Sequence, residues 1–402
     1  MEIIYDWNNR GDMISPPLRK VELFDETLRD GIQCPSVTDP SIEEKLKILR
    51  LLDSIGIHTA DIGLPGAGQR AIDDVTTMVE AIRDEGLSIK PAAAARTHKN
   101  DIQAIIDISE RTGVPIEIYA FLGSSPIRML TEGWNEEKLV ELTRDATRMT
   151  KDAGLPFAFV TEDTIRSNPK TLNKLFTTAI EEGADRLCLC DTVGHATPNG
   201  VFNLIHFARN LVRAIGSNTQ IDWHGHSDRG FGLVNAMYAI EAGADRVHGT
   251  ILGVGERVGN TPLDLLLVNL KLLNIIDTDL SPLGPLVDLV AKATDWTVPV
   301  NYPVFGRDAF RTGTGVHAAA VVKALRTGDN DLADKIYSGV PASWFGRDQE
   351  IEVGPMAGKW NVIHWLETHG FESSDQNVQK ILSVAKKSDR LLLTDELKEL
   401  LQ

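Results

Sequence analysis

From about residue 21 onward, short apolar runs rich in Val, Ile and Ala alternate with longer stretches whose apolar positions recur every three to four residues. The runs are VELFD (21–25), TADIGL (59–64), IKPAAAA (89–95), PIEIYAFL (115–122), PFAFVT (156–161), RLCLCD (186–191), IDWHGH (221–226) and RVHGTIL (246–252). The longer stretches read as helices. In SIEEKLKILRLLDSIG, Ile48, Leu52 and Ile55 fall at i, i+4 and i+7, Ser41 and Glu44 form a capping-box pattern, and Gly56 supplies the stop. Strand–helix alternation predicts βαβ units on a parallel sheet, and eight units are the number that closes a (β/α)₈ barrel. A short internal echo, Glu-x-Gly-Ala-Asp-Arg, precedes the sixth run as Glu181–Arg186 and the eighth as Glu241–Arg246, a gap that two βα units fill. The alternation ends near residue 275, where DTDLSPLGPL marks a boundary of turn formers. The expected organisation is an N-terminal extension (1–20), an α/β (β/α)₈ TIM barrel (21–280) and a smaller, mainly helical subdomain (281–402). That subdomain is expected to pack on the barrel or on a second subunit.

Composition narrows the class. A chain of 402 residues accommodates a barrel of about 250 residues with a substantial appendage. Its 41 Lys and Arg against 57 Asp and Glu give a formal charge of −16, which excludes the electrostatic footprint of a nucleic-acid binder and disfavours anionic membrane surfaces. With 42% hydrophobic and 24% charged residues, it reads as an ordinary soluble globular protein. Three cysteines, Cys34, Cys188 and Cys190, form no even disulfide framework, and Cys188 and Cys190 read as small strand residues rather than a metal pair. The opening residues hold no signal-like apolar run and no later stretch reaches the roughly 18 apolar residues of a membrane span, so a reducing cytoplasm is expected.

In such a barrel the chemistry sits at the carboxyl ends of the strands. The first run leads into DETLRDGIQ (25–33), the fifth into TEDTIR (161–166), the sixth into DTVGHATP (191–198), the seventh into HGHSDRG (224–230) and the eighth into GVGERVGN (253–260). His224 and His226, two apart on a strand, share a face and point into the barrel mouth. With Asp30 after the first run and Asn260 after the eighth, they make a mixed N/O set suited to Mg²⁺, Mn²⁺ or Zn²⁺, with positions left open for water or substrate. The competing reading leaves the two histidines merely hydrogen-bonded inside the barrel. Arg29 beside Asp30 could stabilise an oxyanion on a coordinated carbonyl, or simply pair with Asp25 or Glu26. Gly253, Gly255 and Gly259 imitate a dinucleotide fingerprint, but their spacing and their place at the end of the eighth run favour a tight turn. Such a turn would bring Glu256, Arg257 and Asn260 to the rim.

Together, DETLRDGIQ, DTVGHATP, HGHSDRG and GVGERVGN resemble the metal-dependent barrel enzymes that include 2-isopropylmalate, homocitrate and citramalate synthases and hydroxymethylglutaryl-CoA lyase. The resemblance continues through GRDAFRTGTGVHAAA and YSGVPASWFGRDQEIEVGPMAGKWNVIHWL, covering about residues 20 to 370. Lyases of the group carry a catalytic Cys in the loop after the eighth strand. Residues 252–262 hold none, so the synthase branch is favoured. The resemblance implies condensation of acetyl-CoA with a 2-oxo acid, then thioester hydrolysis. It makes Asp30, His224, His226 and Asn260 the metal ligands and Arg29 the alkoxide stabiliser, with His317 the base, Glu162 sharing or orienting that role, and Tyr337 completing the site. Thr192 would hold the substrate carboxylate and Gln33 the carbonyl, and Asp61, Arg96 and Arg128 are further substrate-binding candidates. Four departures stand out: Asp61 where the family usually has Glu, Ser227 where Asn commonly follows the second His, Arg128 where a His is frequent, and Ala158 where homocitrate synthases carry Arg. Ala158 favours an apolar acceptor such as 2-oxoisovalerate over 2-oxoglutarate, whereas Arg128 could meet a second carboxylate or the phosphates of CoA. The alternatives are a citramalate- or homocitrate-type acceptor, a carbon–carbon lyase on the same site, and a catalytically silent relative. A homodimer is expected from the resemblance, and leucine feedback is not, since no regulatory domain follows the subdomain.

Overall fold

The computed structural model describes residue 4 and residues 20–402, so the expected extension lies almost wholly outside the described residues. Two compact units result: one runs to Asp279 and includes Pro285–Trp296, and the other holds Leu280–Gly284 and Thr297–Gln402. Among the described residues, no helix is long and apolar enough to cross a membrane.

In the first unit every one of the eight apolar runs overlaps a strand that passes its ends by at most one residue: β1 (Glu22–Asp25), β2 (Thr59–Asp61), β3 (Lys90–Arg96), β4 (Glu117–Gly123), β5 (Phe157–Glu162), β6 (Arg186–Asp191), β7 (Gln220–Gly225) and β8 (Arg246–Gly249), the second and eighth strands ending short of their runs. They close a barrel in sequence order, all neighbours parallel, with β8 returning to β1 so that Asp25 lies opposite Gly249. The intervening helices bury one face. The helix Ile42–Ser54 starts with the expected reciprocal cap, Ser41 and Glu44 bonding each other's backbone N–H, and buries Ile48, Leu49 and Leu52. Gly56, at φ +78°, turns the chain away where a side chain would be strained.

Strand alternation sends every second side chain to the barrel axis. Phe24, Ala92, Tyr119, Ala158, Cys188 and Cys190 form one buried cluster there. Towards the amino-terminal ends the axis is charged. Arg186 and Arg246, the last residues of the two echoed segments, flank Asp222 of β7: Arg186 Nη1 donates to Oδ1 and Arg246 Nε to Oδ2, each at 2.9 Å. Glu117 joins them through Arg246 Nη1 at 2.9 Å. The repeat in the sequence is thus one Arg–Asp–Arg clamp in space, and it packs beneath the Phe24 ring, 4.8 Å from the Arg246 guanidinium.

The second unit is mainly helical, as expected, with one addition that its short segments hid from periodicity. Arg311–Thr312 and Glu350–Ile351 pair as a two-stranded parallel sheet. Helices Lys359–Thr368 and Asp375–Ala385 bury Val362, Trp365, Leu366, Val378 and Ile381 in their own core. Ala318, Val321 and Val322 of helix Gly315–Arg326 pack on Ile351.

Candidate active site

At the carboxyl ends of the strands a cavity of about 240 Å³ opens, lined by Arg29, Asp30, Gln33, Glu162, Thr192, His224 and His226 on its polar side. Leu64, Ala94, Tyr119, Phe121, Val160, Cys188 and Cys190 make its apolar wall.

β7 presents His224, and the residues just past the strand present His226, which bridges to Asn260 in antiparallel fashion. The two Nε2 atoms lie 3.1 Å apart, each 3.6 Å from Asp30 Oδ2, and all three residues are buried. Asn260 Nδ2 donates to Asp30 Oδ2 at 2.6 Å, leaving its Oδ1 buried with no hydrogen-bond partner. Two imidazole nitrogens and a carboxylate oxygen within 3.6 Å of one another in one buried corner, with the Asn260 amide bonded to that carboxylate, fit the donor set of a divalent cation. The turn after β8 is built around that amide. A Cβ at Gly255 would overlap Asn260 Oδ1, and one at Gly259 (φ +95°) would overlap the Gly253 carbonyl. These glycines therefore serve the tight turn, and Glu256 reaches the cavity lining as expected.

Arg29 is both rim residue and ion-pair member. Its Nε donates to Asp61 Oδ2 at 2.8 Å and its Nη2 to Glu26 Oε1 at 2.7 Å, with Nη1 3.4 Å from Asp30 Oδ1. Burial opposes the charge, yet these three carboxylates hold the guanidinium well above its ordinary range. Burial alone would push the His224 imidazole down, but Glu26, 2.6 Å from Nδ1, raises it to about 10. His226, buried and beside His224, falls to about 4. Burial likewise raises the Glu162 carboxyl, against the pull of Arg128.

The other expected residues divide. Thr192 lines the cavity, and its Oγ1 accepts from the Asp163 N–H at 2.8 Å, which leaves its own proton to donate. Asp61 is completely buried and holds Arg29 instead of facing the cavity. Arg128 sits beside Glu162, its Nε 3.5 Å from Oε1, and reaches Glu132 at 3.1 Å. Arg96 is not brought to the cavity: its fork lies on Asp101, at 2.7 and 2.9 Å, with 63% of the side chain exposed. Asp101 is buried across from Gly66 and, as the only carboxylate hydrogen-bonded to Arg96 among the described residues, draws it outward. In the second unit His317 and Tyr337 stack, ring centroids 4.2 Å apart, both exposed. Reading along the sequence missed the partners of His224, namely Glu26 and, beyond it, His248, as well as the place of both cysteines in the cavity wall. The available signal was alternation: Cys188, Cys190 and Thr192 share one strand face, as do Arg246 and His248.

Residues 20–290 match the HMGL-like family, and the chain belongs to that family. It is 31% identical to a protein of Methanopyrus kandleri named as a probable 2-isopropylmalate synthase, over 91% of this chain and 69% of that one. It is 32% identical to homocitrate synthase AksA of Methanothermobacter thermautotrophicus, over 92% and 89%. Among solved structures, hydroxymethylglutaryl-CoA lyase from Pseudomonas aeruginosa shares the fold at a TM-score of 0.58 and 17% identity, over 69% of this chain and 94% of that one.

Proposed function

We propose that this protein is a metal-dependent acyltransferase that condenses acetyl-CoA with a 2-oxo acid and then hydrolyses the thioester, with 2-oxoisovalerate the preferred acceptor. The observation that carries the reading is the convergence of Asp30, His224, His226 and Asn260 beside Arg29 at the mouth of a small cavity with an apolar wall. Relatives named for 2-isopropylmalate and homocitrate synthesis support the reaction class. At about 240 Å³ the cavity is below the roughly 300 Å³ from which drug-sized sites start, the scale of a small organic acid.

A divalent ion held by those four residues would act as a Lewis acid on the acceptor's ketone. Thr192 donates to the acceptor carboxylate, and Arg29 faces the oxygen on which negative charge develops. A base removes one proton from the acetyl methyl group, the new C–C bond forms at the ketone carbon, and the ketone oxygen takes up a proton. Water then attacks the thioester carbonyl and the C–S bond breaks, releasing the CoA thiol. Glu162, its carboxyl raised by burial, serves proton transfer at the cavity; His317, with Tyr337 stacked on it, is kept as the base on the strength of the resemblance. A homodimeric assembly and a cytoplasmic setting are carried with the same reading.

The test is CoA thiol release from acetyl-CoA with Mg²⁺ or Mn²⁺ across 2-oxoisovalerate, pyruvate, 2-oxobutyrate, oxaloacetate and 2-oxoglutarate. Release is expected to be greatest with 2-oxoisovalerate and abolished by Asp30→Ala. Preference for 2-oxoglutarate would assign the second carboxylate to Arg128 and a homocitrate-type activity. No release with any acceptor overturns the reading.

A further inference from the structure

Four ionisable side chains stand on the barrel axis at and beneath the candidate cation site, Glu26 at the cavity lining itself, and the reaction proposed above uses none of them. Glu26, Asp222, Arg246 and His248 are all at most 2% exposed. Buried charges persist where they are paired and multiply bonded, because each costs several kcal/mol to desolvate. Here they form a ladder. Arg246 and Arg186 clamp Asp222; Asp222 Oδ2 lies 3.3 Å from His248 Nε2; His248 Nδ1 lies 3.4 Å from Glu26 Oε1; and Glu26 Oε2 lies 2.6 Å from His224 Nδ1. The Phe24 ring stacks on His248 at 4.2 Å and fixes its plane.

Glu26 is thereby hydrogen-bonded from two sides, by Arg29 and His224, and His248 Nδ1 stands 3.4 Å from it with no hydrogen-bond partner of its own. The bond of Glu26 to His224 occupies Nδ1 and leaves Nε2 aimed at Asp30 and His226. Charge leads the same way. A divalent ion together with Arg29 brings three positive charges into a buried corner where Asp30, the only anionic ligand, supplies one negative charge; Glu26 and Asp61 supply the other two. Resting on the cation site of the proposed function, we propose that Glu26 is the positioning residue that makes Nε2 the ligand atom of His224 and sets the ion affinity of the site, with His248 and the Asp222–Arg246 clamp keeping its carboxylate in place.

Glu26, His224 and His248 could themselves be read as a second ion site, since one donor atom from each lies within 4.8 Å of the others. The Arg29 guanidinium on Glu26 and the Asp222 carboxylate at His248 make them a support instead.

The experiment is Mn²⁺ binding to the full chain, followed by the electron paramagnetic resonance of free Mn²⁺ and by calorimetry, with thermal unfolding of the ion-free protein alongside. Wild type should take up one Mn²⁺ and Asp30→Ala none. Glu26→Gln should bind about 10- to 100-fold more weakly, as disrupted ligand support does elsewhere, with Glu26→Asp recovering part of the loss. A general packing defect would lower the unfolding temperature of the ion-free protein instead of selectively weakening the ion. If Glu26→Gln does not fold, His248→Gln carries the test and should weaken Mn²⁺ several-fold. Wild-type affinity in either variant overturns the proposal, as do two ions in wild type with one lost in Glu26→Gln. No ion in wild type removes the cation site itself, and with it this inference.

Discussion

Arg29 joins three carboxylates, and the geometry of its planar fork is what allows it. A lysine at that position could meet one of Asp61, Glu26 and Asp30 at a time and would leave buried charge unpaired. Arg29→Lys is therefore expected to lower kcat about 10²- to 10³-fold, the usual cost of one oxyanion donor, with a smaller change in the acceptor KM. Steady-state kinetics of thiol release measure this, and an unchanged kcat would remove Arg29 from the chemistry. The residue scale also shows why the residues of the candidate cation site were legible and the side chains behind them were not. His224 and His226 announce themselves by i, i+2 spacing at the end of one strand. Glu26, just past β1, meets His224 on β7 only because β8 closes the barrel between them, and nothing local encodes that meeting.

At the scale of elements, the loop after β8 and the turn after β6 are laced together. Arg257, at φ +58°, donates to both carboxylate oxygens of Asp228 and to the Thr192 carbonyl, so three strand-end loops share one anchor. In the same loop Gly255 leaves room for the Asn260 amide. Gly255→Ala should displace that amide and weaken Mn²⁺ binding by at least about 10-fold, the lower end of the range for disturbed ligand support; titration of the variant checks it, and full affinity would contradict the packing argument. The helices follow local rules more closely. Ser41→Ala removes one half of the reciprocal cap on Ile42–Ser54 and should cost about 1 kcal/mol, read as a shift in the denaturant midpoint at unchanged slope.

The barrel as a whole stores a pH dependence. Asp25 is completely buried, and burial pushes its carboxyl to about 7 although Thr27 donates to it twice. Burial raises Asp61 to about 6, against the pull of Arg29. Both lie above the ordinary 3.8, so between about pH 4 and 7 these two carboxyls bind more protons in the folded chain than in the unfolded one, while His226, lowered from 6.5 to about 4, binds fewer over part of the same window. The contribution of Asp25 and Asp61 to the stability of the ion-free protein should then fall as pH rises through that window, by a few kcal/mol in order of magnitude. Asp25→Asn, which needs no proton, should lose its share of that fall, so its curve diverges from that of the wild type as pH rises. Unfolding temperatures measured in chelator across the window decide it, and parallel curves for the two proteins would refute the assignment.

What the sequence by itself determined is what depends on neighbours along the chain: eight strands, their helices, the reciprocal cap at Ser41, the tight turn after β8 and the histidine pair, with Asp30 and Asn260 joined to it once eight units implied a closed barrel. Tertiary structure alone decided which inward side chains meet. It gathered the two echoed arginines onto Asp222, set Cys188 and Cys190 in the cavity wall, drew Arg96 outward onto Asp101, and placed Glu26 behind His224. The reason is physical. Periodicity and capping act over a few residues, whereas the partner of a side chain on a barrel axis is set by the stagger and tilt at which the whole sheet closes.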